Sequence, residues 1–112
     1  ELARNRIYGI KGTDPQYGID VETEFDYVVD ELKIHHNTIS DCSGGAINCN
    51  KGENYDVYSN TVTGNNIIAV RCKNVKIYSN TVRDTFIRVM TYASNVTVEN
   101  NSLDADSWVF FG

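Results

Sequence analysis

The sequence has little proline, few cysteines and no long apolar run, and each shortage excludes a class of protein. There is 1 Pro and there are 8 Gly in 112 residues, and no apolar pattern keeps a 3.6-residue period, so the chain is not a helical protein. Its three cysteines, Cys42, Cys49 and Cys72, contain no C-x-x-C pair, which excludes the common zinc motifs. No apolar run approaches the roughly 18 residues of a membrane-spanning helix.

Basic residues are also scarce. The formal net charge is −5, from 10 basic and 15 acidic side chains. That balance argues against nucleic acid, which binds to basic faces, and against anionic membranes. It is compatible with a polysaccharide held by hydrogen bonds. The sequence contains no Walker loop, no G-x-S-x-G and no G-x-G-x-x-G, so the common nucleotide-binding and serine-hydrolase motifs are absent.

The residues that are abundant favour β-strands and turns, and the sequence repeats itself. One phrase recurs four times, with start-to-start spacings of 23, 20 and 21 residues: "LKIHHNTI" (32–39), "YDVYSNTV" (55–62), "VKIYSNTV" (75–82) and "VTVENNSL" (96–103). Between the copies lie shorter apolar runs: "GAINC" (45–49), "IIAVRC" (67–72), "FIRVMTY" (86–92) and "WVFF" (108–111). Short strands repeating at this period predict a β-solenoid, in which the chain winds so that each turn, or rung, lies on the one before.

The other repeats of similar period need signatures that this chain lacks. Leucine-rich repeats need many leucines, and helical repeats are longer and need helical patterning. A sandwich of hairpins would not place the same residue at the same phase of each period. We therefore predict an all-β fold, a right-handed parallel β-helix of about five rungs of 20–23 residues, spanning 1–112 as one segment of a larger protein.

The phase of the repeat predicts which side chains face inward, because side chains alternate along a strand. Three inward columns are expected: Leu32, Tyr55, Val75 and Val96; Ile34, Val57, Ile77 and Val98; and Ile39, Val62, Val82 and Leu103. Asn37, Asn60, Asn80 and Asn101 form a fourth column, which we expect at a left-handed corner with side chains bonded from rung to rung. Lys33, Asp56 and Lys76 should line up outside.

Two further expectations concern the second apolar run of each repeat. Cys49 and Cys72 lie 17 residues after Leu32 and Tyr55, respectively, which predicts buried, reduced thiols stacked on neighbouring rungs. In the run 86–92, the pattern leaves open whether Ile87 and Val89 or Arg88 and Met90 face inward.

The phrase V-x-I-x-x-N-T-I, followed by a Gly/Asn-rich link and G-x-I, resembles the right-handed parallel β-helix of the pectate-lyase superfamily. Phage tailspike and appendage polysaccharide depolymerases share this architecture. The resemblance covers residues 18–112, and "YGIDVE" (17–22) is similar to a segment common in such proteins. It implies strands whose outer faces carry sugar-binding clefts, an extracellular or virion-associated location and, for phage members, a homotrimer.

Paired acids suggest where cleavage would occur. If Ile19 and Val21 face the core, Asp20 and Glu22 face outward on one strand, about 6.5–7 Å apart along it. That spacing suits an inverting glycosidase, whose two carboxyls lie roughly 6.5–9.5 Å apart. The segment continues through Glu24 and Asp26. The alternative is a solvated acidic strand face.

Substrate-binding candidates lie elsewhere in the repeat. Tyr58 and Tyr78 should stand one above the other with His35 on the preceding rung, either as a strip for sugar rings or as cross-strand stacking. Arg71, Arg83 and Arg88 lie on neighbouring phases and would hold an anionic sugar. The pair His35–His36 is not expected to bind a metal, because adjacent strand residues face opposite ways.

The expected function is recognition of a polysaccharide by part of a carbohydrate-degrading enzyme, with no cofactor for hydrolysis. One alternative is a non-catalytic shaft of a virion or surface appendage. Another is a uronate lyase or epimerase, which would need Ca²⁺ held by carboxylates such as Asp41, Asp84 and Asp104. Nucleic acid and membranes are not expected partners.

Overall fold

The chain folds as a parallel β-helix of three sheets. The computed structural model describes residues 1–12, 16–22 and 29–112, and the regular structure there is entirely β-strand. Strands are numbered in chain order. The first sheet contains β1 (Leu2–Ala3), β4 (Val29–His35), β7 (Gly52–Tyr58), β10 (Lys73–Tyr78) and β13 (Ser94–Glu99). The second contains β2 (Arg6–Ile7), β5 (Thr38–Ser40), β8 (Thr61–Thr63), β11 (Thr81–Arg83) and β14 (Ser102–Leu103). The third contains β3 (Tyr17–Val21), β6 (Gly45–Asn50), β9 (Ile67–Val70), β12 (Phe86–Val89) and β15 (Trp108–Phe111).

Every pairing between neighbouring strands is parallel, and each joins one rung to the next. The sequence phrase sets the register: Tyr55 lies opposite Val75, and Val57 lies opposite Ile77. On the second sheet, Val62 lies opposite Val82. The predicted β-helix and its columns of like residues are confirmed.

The core runs along the axis of the coil. Ile34, Ile39, Val57, Val62 and Ile77 are all fully buried, as their inward phase predicts. The columns become more exposed toward the ends of the coil: β1 is too short to pair with Leu32, Leu103 lies on the last strand of its sheet, and both residues are half-buried. On the third sheet the open question is resolved, because Ile87 and Val89 are buried while Arg88 and Met90 are half-exposed.

The predicted asparagine ladder is present, but the left-handed corner lies one residue earlier. The residues with positive φ at this corner are Arg4, His36, Ser59, Ser79 and Asn100, each immediately before the inward asparagine. The corner turns the chain, and the next side chain then enters the core. Asn37, Asn60 and Asn80 are buried there, and their amides bond from rung to rung.

The expected stacking of Cys49 on Cys72 is wrong in register. Cys49 lies opposite Ala69, three residues before Cys72, because the link between Val62 and Ile67 differs in length from that of the preceding rung. The other part of the prediction holds, since both thiols are buried and free. Burial raises the pKa of the Cys49 thiol, and the nearby Cys72 raises it further.

Candidate functional site

The outer face of the first sheet carries a polar groove of ≈ 530 Å³. Its floor is the outward column Lys33, Asp56, Lys76 and Thr97, which the strand pairings place side by side. A second column forms its rim: Glu31, Asn54, Asn74 and Asn95, all with positive φ. The groove therefore crosses four neighbouring strands, offers polar side chains on every rung and carries charges of both signs along its length.

The rim asparagines form an exposed ladder of their own. Asn54 Nδ2 donates to Asp30 Oδ1 at 2.7 Å, and Asn74 Nδ2 donates to Asn54 Oδ1 at 3.2 Å. Asn95 continues the ladder by donating to Asn74 Oδ1. This ladder was not predicted, although its members recur at the 20- and 21-residue spacings of the repeat and the same phase argument would have found it. The bonds hold the rim amides in fixed orientations.

The aromatic residues expected at the outer edge of this sheet form a continuous stack. The rings of His35 and Tyr58 lie 4.8 Å apart and within 7° of parallel. Those of Tyr58 and Tyr78 lie 5.1 Å apart and within 8° of parallel. Since each inner ring face is covered by the next ring, the stack presents its edges and hydroxyls. Its position flanks the groove, because the stacked residues follow the column of Lys33, Asp56 and Lys76 by two residues.

Tyr78 is electrostatically linked to that groove. Burial raises the pKa of the Tyr78 hydroxyl, and the charge of Asp56 raises it further. The hydroxyl therefore stays protonated at neutral pH and acts as a hydrogen-bond donor beside the groove.

The two adjacent histidines meet, contrary to the expected alternation. His35 Nδ1 and His36 Nδ1 lie 2.7 Å apart. The cause is the left-handed backbone at His36, which breaks the strand alternation on which the expectation depended. On the other side of its ring, His35 Nε2 lies 2.8 Å from Glu1 Oε2. These contacts hold His35 in place, and it is 4% exposed.

The proposed acidic pair lies on the third sheet, away from the polar groove. Ile19 and Val21 of β3 are buried, and Asp20 and Glu22 are exposed, as their phases predict. Asp20 Oδ1 accepts a hydrogen bond from Asn48 Nδ2 at 2.8 Å. Glu24 and Asp26 lie outside the described residues.

Tyr17 is the neighbour of the acidic pair that sequence reasoning missed. Burial raises the pKa of its hydroxyl, and the charges of Asp20 and Glu22 add to the effect. Tyr17 shares the phase of the inward residues Ile19 and Val21, whereas Asp20 and Glu22 face outward, so its link to the acids is electrostatic. Its place three residues before Asp20 gave no sequence signal of that link.

The three candidate arginines lie apart from one another, and Arg88 is in β12 of the third sheet. Arg71 follows β9 at the corner between the third and first sheets, and its Nε and Nη2 donate to Asn50 Oδ1 at 3.1 and 2.9 Å. Arg83 is exposed at the end of β11 on the second sheet. The structure thus separates the predicted site residues: the aromatic stack lies on the first sheet, Arg83 on the second and Arg88 on the third. Asp20 and Glu22 also belong to the third sheet and its end, and Arg71 lies at the corner between the third and first sheets.

Carboxylates that a lyase would need for Ca²⁺ do not gather into one site. Asp41 and Asp84 occupy the same corner of rungs separated by the rung of Gly64, and Asp41 pairs with Lys11. Asp104 instead accepts a hydrogen bond from the backbone N–H of Asp84. Across residues 1–12, 16–22 and 29–112, no group of three or more His, Cys, Asp or Glu side chains is placed to hold a metal ion. In the same ranges no helix is long and apolar enough to cross a membrane.

Comparison with known proteins gives a family but no characterised relative. No curated protein and no solved structure matches the chain. A family model described as "right handed beta helix region" matches residues 1–107. That match spans nearly the whole chain and agrees with the three-sheet coil and its repeating register. The chain therefore belongs to the right-handed β-helix family.

Proposed function

We propose that the protein recognises a polysaccharide through the polar groove of the first sheet. The observation that carries this proposal is the groove itself, whose polar side chains repeat from rung to rung. The repeat distance is the strand spacing of about 4.8 Å. That distance is close to the length of one sugar unit in an extended glycan, so successive sugars would meet equivalent groups on successive rungs.

The chemistry of the lining suits hydroxyl-rich ligands of low net charge. Amides on the rim both donate and accept, and the floor alternates Lys33, Asp56 and Lys76 in sign. A strongly anionic polymer would be repelled by Asp56, and a strongly cationic one by Lys33 and Lys76. The edge of the aromatic stack adds the hydroxyls of Tyr58 and Tyr78 as further partners beside the groove.

A broad glycan array with the full-length protein tests this proposal. Each hit is then measured by calorimetry with the Asn54→Ala/Asn74→Ala double variant and the Asp56→Asn variant. We expect each to weaken binding by roughly tenfold or more, since a lost hydrogen bond to a ligand is worth about 1–2 kcal/mol. Thr63→Ala on the second sheet is the matched control and should bind normally. Absence of binding across the array would favour the alternative, a structural shaft.

Cleavage of the bound polysaccharide is the second candidate, carried by Asp20 and Glu22. The observation in its favour is that Asp20 on β3 and Glu22 directly after β3 are both exposed. In an inverting hydrolase one carboxyl protonates the leaving oxygen and the other activates a water molecule. Asp20→Asn and Glu22→Gln should then each abolish the release of reducing ends and leave the fold unchanged. Full activity in both variants would discard the assignment.

A uronate lyase or epimerase is the third candidate, and it makes different demands. A lyase creates an unsaturated product with ultraviolet absorbance, and it would depend on added Ca²⁺. An active sample showing neither property is not a lyase.

The remaining parts of the proposal rest on the resemblance to phage and secreted β-helix proteins. They are an extracellular or virion-associated location and a homotrimer in the full-length protein. Sedimentation of the full-length protein tests the trimer directly, and a monomer across the accessible concentration range would contradict it.

A further inference from the structure

The two histidines at the corner between the first and second sheets bring two ring nitrogens together. His35 Nδ1 and His36 Nδ1 lie 2.7 Å apart, and their rings are nearly perpendicular, at 84°. They are the only two histidines of the chain. Strand alternation argued against a metal ion shared by these residues, and the left-handed φ of 56° at His36 removes that objection.

The repeat does not require histidine at either position. On the next rung Tyr58 lies opposite His35, and Ser59 takes the place of His36 at the same left-handed corner. The rung after that repeats the same Tyr-Ser pair. Tyrosine therefore serves the aromatic stack and serine turns the corner within this protein, so neither role explains two imidazoles on one rung.

The carboxylate of Glu1 prepares His35 to act as a ligand. His35 Nε2 lies 2.8 Å from Glu1 Oε2. Because an ionised carboxylate only accepts hydrogen bonds, a neutral His35 carries its proton on Nε2 and a lone pair on Nδ1, the atom that faces His36. Histidines that bind metals almost always donate their second nitrogen to such a partner, which fixes the ring and raises its basicity.

Tyr58 fixes the orientation of both imidazoles. Its ring stacks on His35 at 4.8 Å and within 7° of parallel, and it meets His36 edge-on at 6.1 Å. The backbone N–H of His36 donates to the backbone oxygen of Tyr58 at 3.3 Å. His35 is buried and His36 is exposed, so one ligand is held firmly and the other is open to an ion from solvent.

The distance between the two nitrogens suits a transition metal. With metal–imidazole bonds of about 2.0–2.1 Å, two ligands at a right angle have nitrogens about 2.9 Å apart, and two tetrahedral ligands about 3.3 Å apart. The right-angled value is close to the observed 2.7 Å, and a small rotation of the exposed His36 ring supplies the difference. His36 would carry its proton on Nε2, and the ion would replace the hydrogen bond between the rings.

We propose that His35 and His36 bind a divalent transition-metal ion through their Nδ1 atoms, with Cu²⁺ preferred. Imidazole suits Cu, Ni and Zn, right-angled ligands are typical of Cu²⁺ and Ni²⁺, and Cu²⁺ has the highest affinity of the series. Within residues 1–12, 16–22 and 29–112, no third His, Cys, Asp or Glu side chain joins the pair as a ligand, so water would complete the coordination. Ca²⁺ and Mg²⁺, which prefer oxygen ligands, are not expected here.

Calorimetric titration of the full-length protein with Cu²⁺, Zn²⁺ and Ca²⁺ tests the proposal, together with electron paramagnetic resonance of the Cu²⁺ form. We expect one Cu²⁺ site with two nitrogen ligands, weaker binding of Zn²⁺ and no Ca²⁺ at this site. His35→Tyr and His36→Ser reproduce the next rung, so both should fold, and each should weaken Cu²⁺ binding at least tenfold. Glu1→Gln should weaken it by about tenfold or more, because the carboxylate no longer orients His35.

Asp106→Asn is the matched control, because it removes an exposed acid from another rung and should leave the Cu²⁺ titration unchanged. Circular dichroism checks that every variant is folded. Equal Cu²⁺ binding by the wild-type protein and the two histidine variants would overturn the site, and so would a Kd weaker than about 100 μM. Unchanged binding in Glu1→Gln would overturn the role of Glu1. These titrations contain no glycan, so their outcome is independent of the proposed polysaccharide groove.

Discussion

Asn60 and Asn80 lie one above the other inside the coil, and the side-chain Nδ2 of Asn60 donates to Oδ1 of Asn80 at 3.0 Å. The backbone N–H of Asn60 donates to the same oxygen at 3.0 Å. Nδ2 of Asn60 also donates to the backbone oxygen of Ile34. The same arrangement recurs from Asn5 to Asn101, so one ladder of amides runs through the chain. The ladder thereby gives the buried amides at these corners their hydrogen-bond partners.

Replacing Asn60 with Ala should break this ladder at its middle. The variant leaves the backbone oxygen of Ile34 and both donors of Asn37 without their partner in a buried site. Each buried polar group left unpaired costs about 1–3 kcal/mol, so we expect a loss of at least about 3 kcal/mol in the free energy of unfolding. Urea denaturation followed by circular dichroism measures it.

Thr63→Ala is the control for Asn60→Ala, because Thr63 is an exposed residue on the same rung. Its expected effect is within about 0.5 kcal/mol. Similar losses for the two variants would show that the ladder contributes nothing specific to stability.

The columns could be predicted from the sequence because the same residue types return at the same phase. Val57 above Ile77, and Asn60 above Asn80, follow from a 20-residue spacing alone. Cys49 against Ala69 does not, because links of different length shift the register of the third sheet. The contact between His35 and His36 was also missed, since a single left-handed residue reverses the alternation that strand patterning assumes.

The candidate sites were less predictable than the fold. The repeat indicates which residues share a column, and the stack of Tyr58 on Tyr78 follows from it. It does not indicate which sheets face each other or where grooves form. Asp20 therefore lies on the third sheet, apart from the aromatic stack on the first, although both were predicted for one substrate.

Tyr55 should tolerate the loss of its hydroxyl. Its ring is fully buried, and its hydroxyl oxygen has no hydrogen-bond partner among the described residues. Burial raises the pKa of Tyr55 to about 12, so the group is neutral at working pH. Tyr55→Phe removes an unpaired buried polar group, so the free energy of unfolding should stay the same or rise by up to about 1 kcal/mol. A loss above about 1 kcal/mol in urea denaturation would mean that the hydroxyl is bonded.

The Tyr55 side chain leaves room only for glycine at position 52. A Cβ built at Gly52 would lie 1.7 Å from the Tyr55 hydroxyl oxygen. Gly52→Ala should therefore destabilise the protein by about 1–3 kcal/mol or more through overpacking. Gly64→Ala is the comparison, because no atom lies within 4 Å of its built Cβ and only its left-handed φ of 68° opposes the change. That strain costs about 1–2 kcal/mol. If Gly52→Ala and the wild-type protein have the same midpoint of urea unfolding, the added Cβ does not clash with Tyr55.

The thiols should be inert in the folded protein. Burial raises the pKa of Cys72 to about 11 and raises that of Cys49 still further, so the reactive thiolate is scarce at neutral pH. Iodoacetamide at pH 8 should leave both residues unmodified in the native state and label them rapidly in denaturant. Mass spectrometry identifies which cysteines have been alkylated. Rapid labelling of Cys49 before unfolding would contradict the buried placement.

Asp104 makes stability depend on pH in a defined direction. A hydrogen bond from the Ser107 hydroxyl lowers the pKa of Asp104 below its ordinary value of 3.8, and the backbone N–H of Asp84 lowers it further. A carboxyl whose pKa is lower in the folded state stabilises the protein above its unfolded pKa, and that contribution disappears as the pH falls through the folded pKa.

Ser107→Ala removes the main cause, so the pKa of Asp104 should rise toward 3.8. Carboxyl NMR titration measures the shift, with Asp106→Asn as a control that leaves the Ser107 bond intact. An unchanged titration of Asp104 in Ser107→Ala would show that this hydroxyl does not hold the carboxylate.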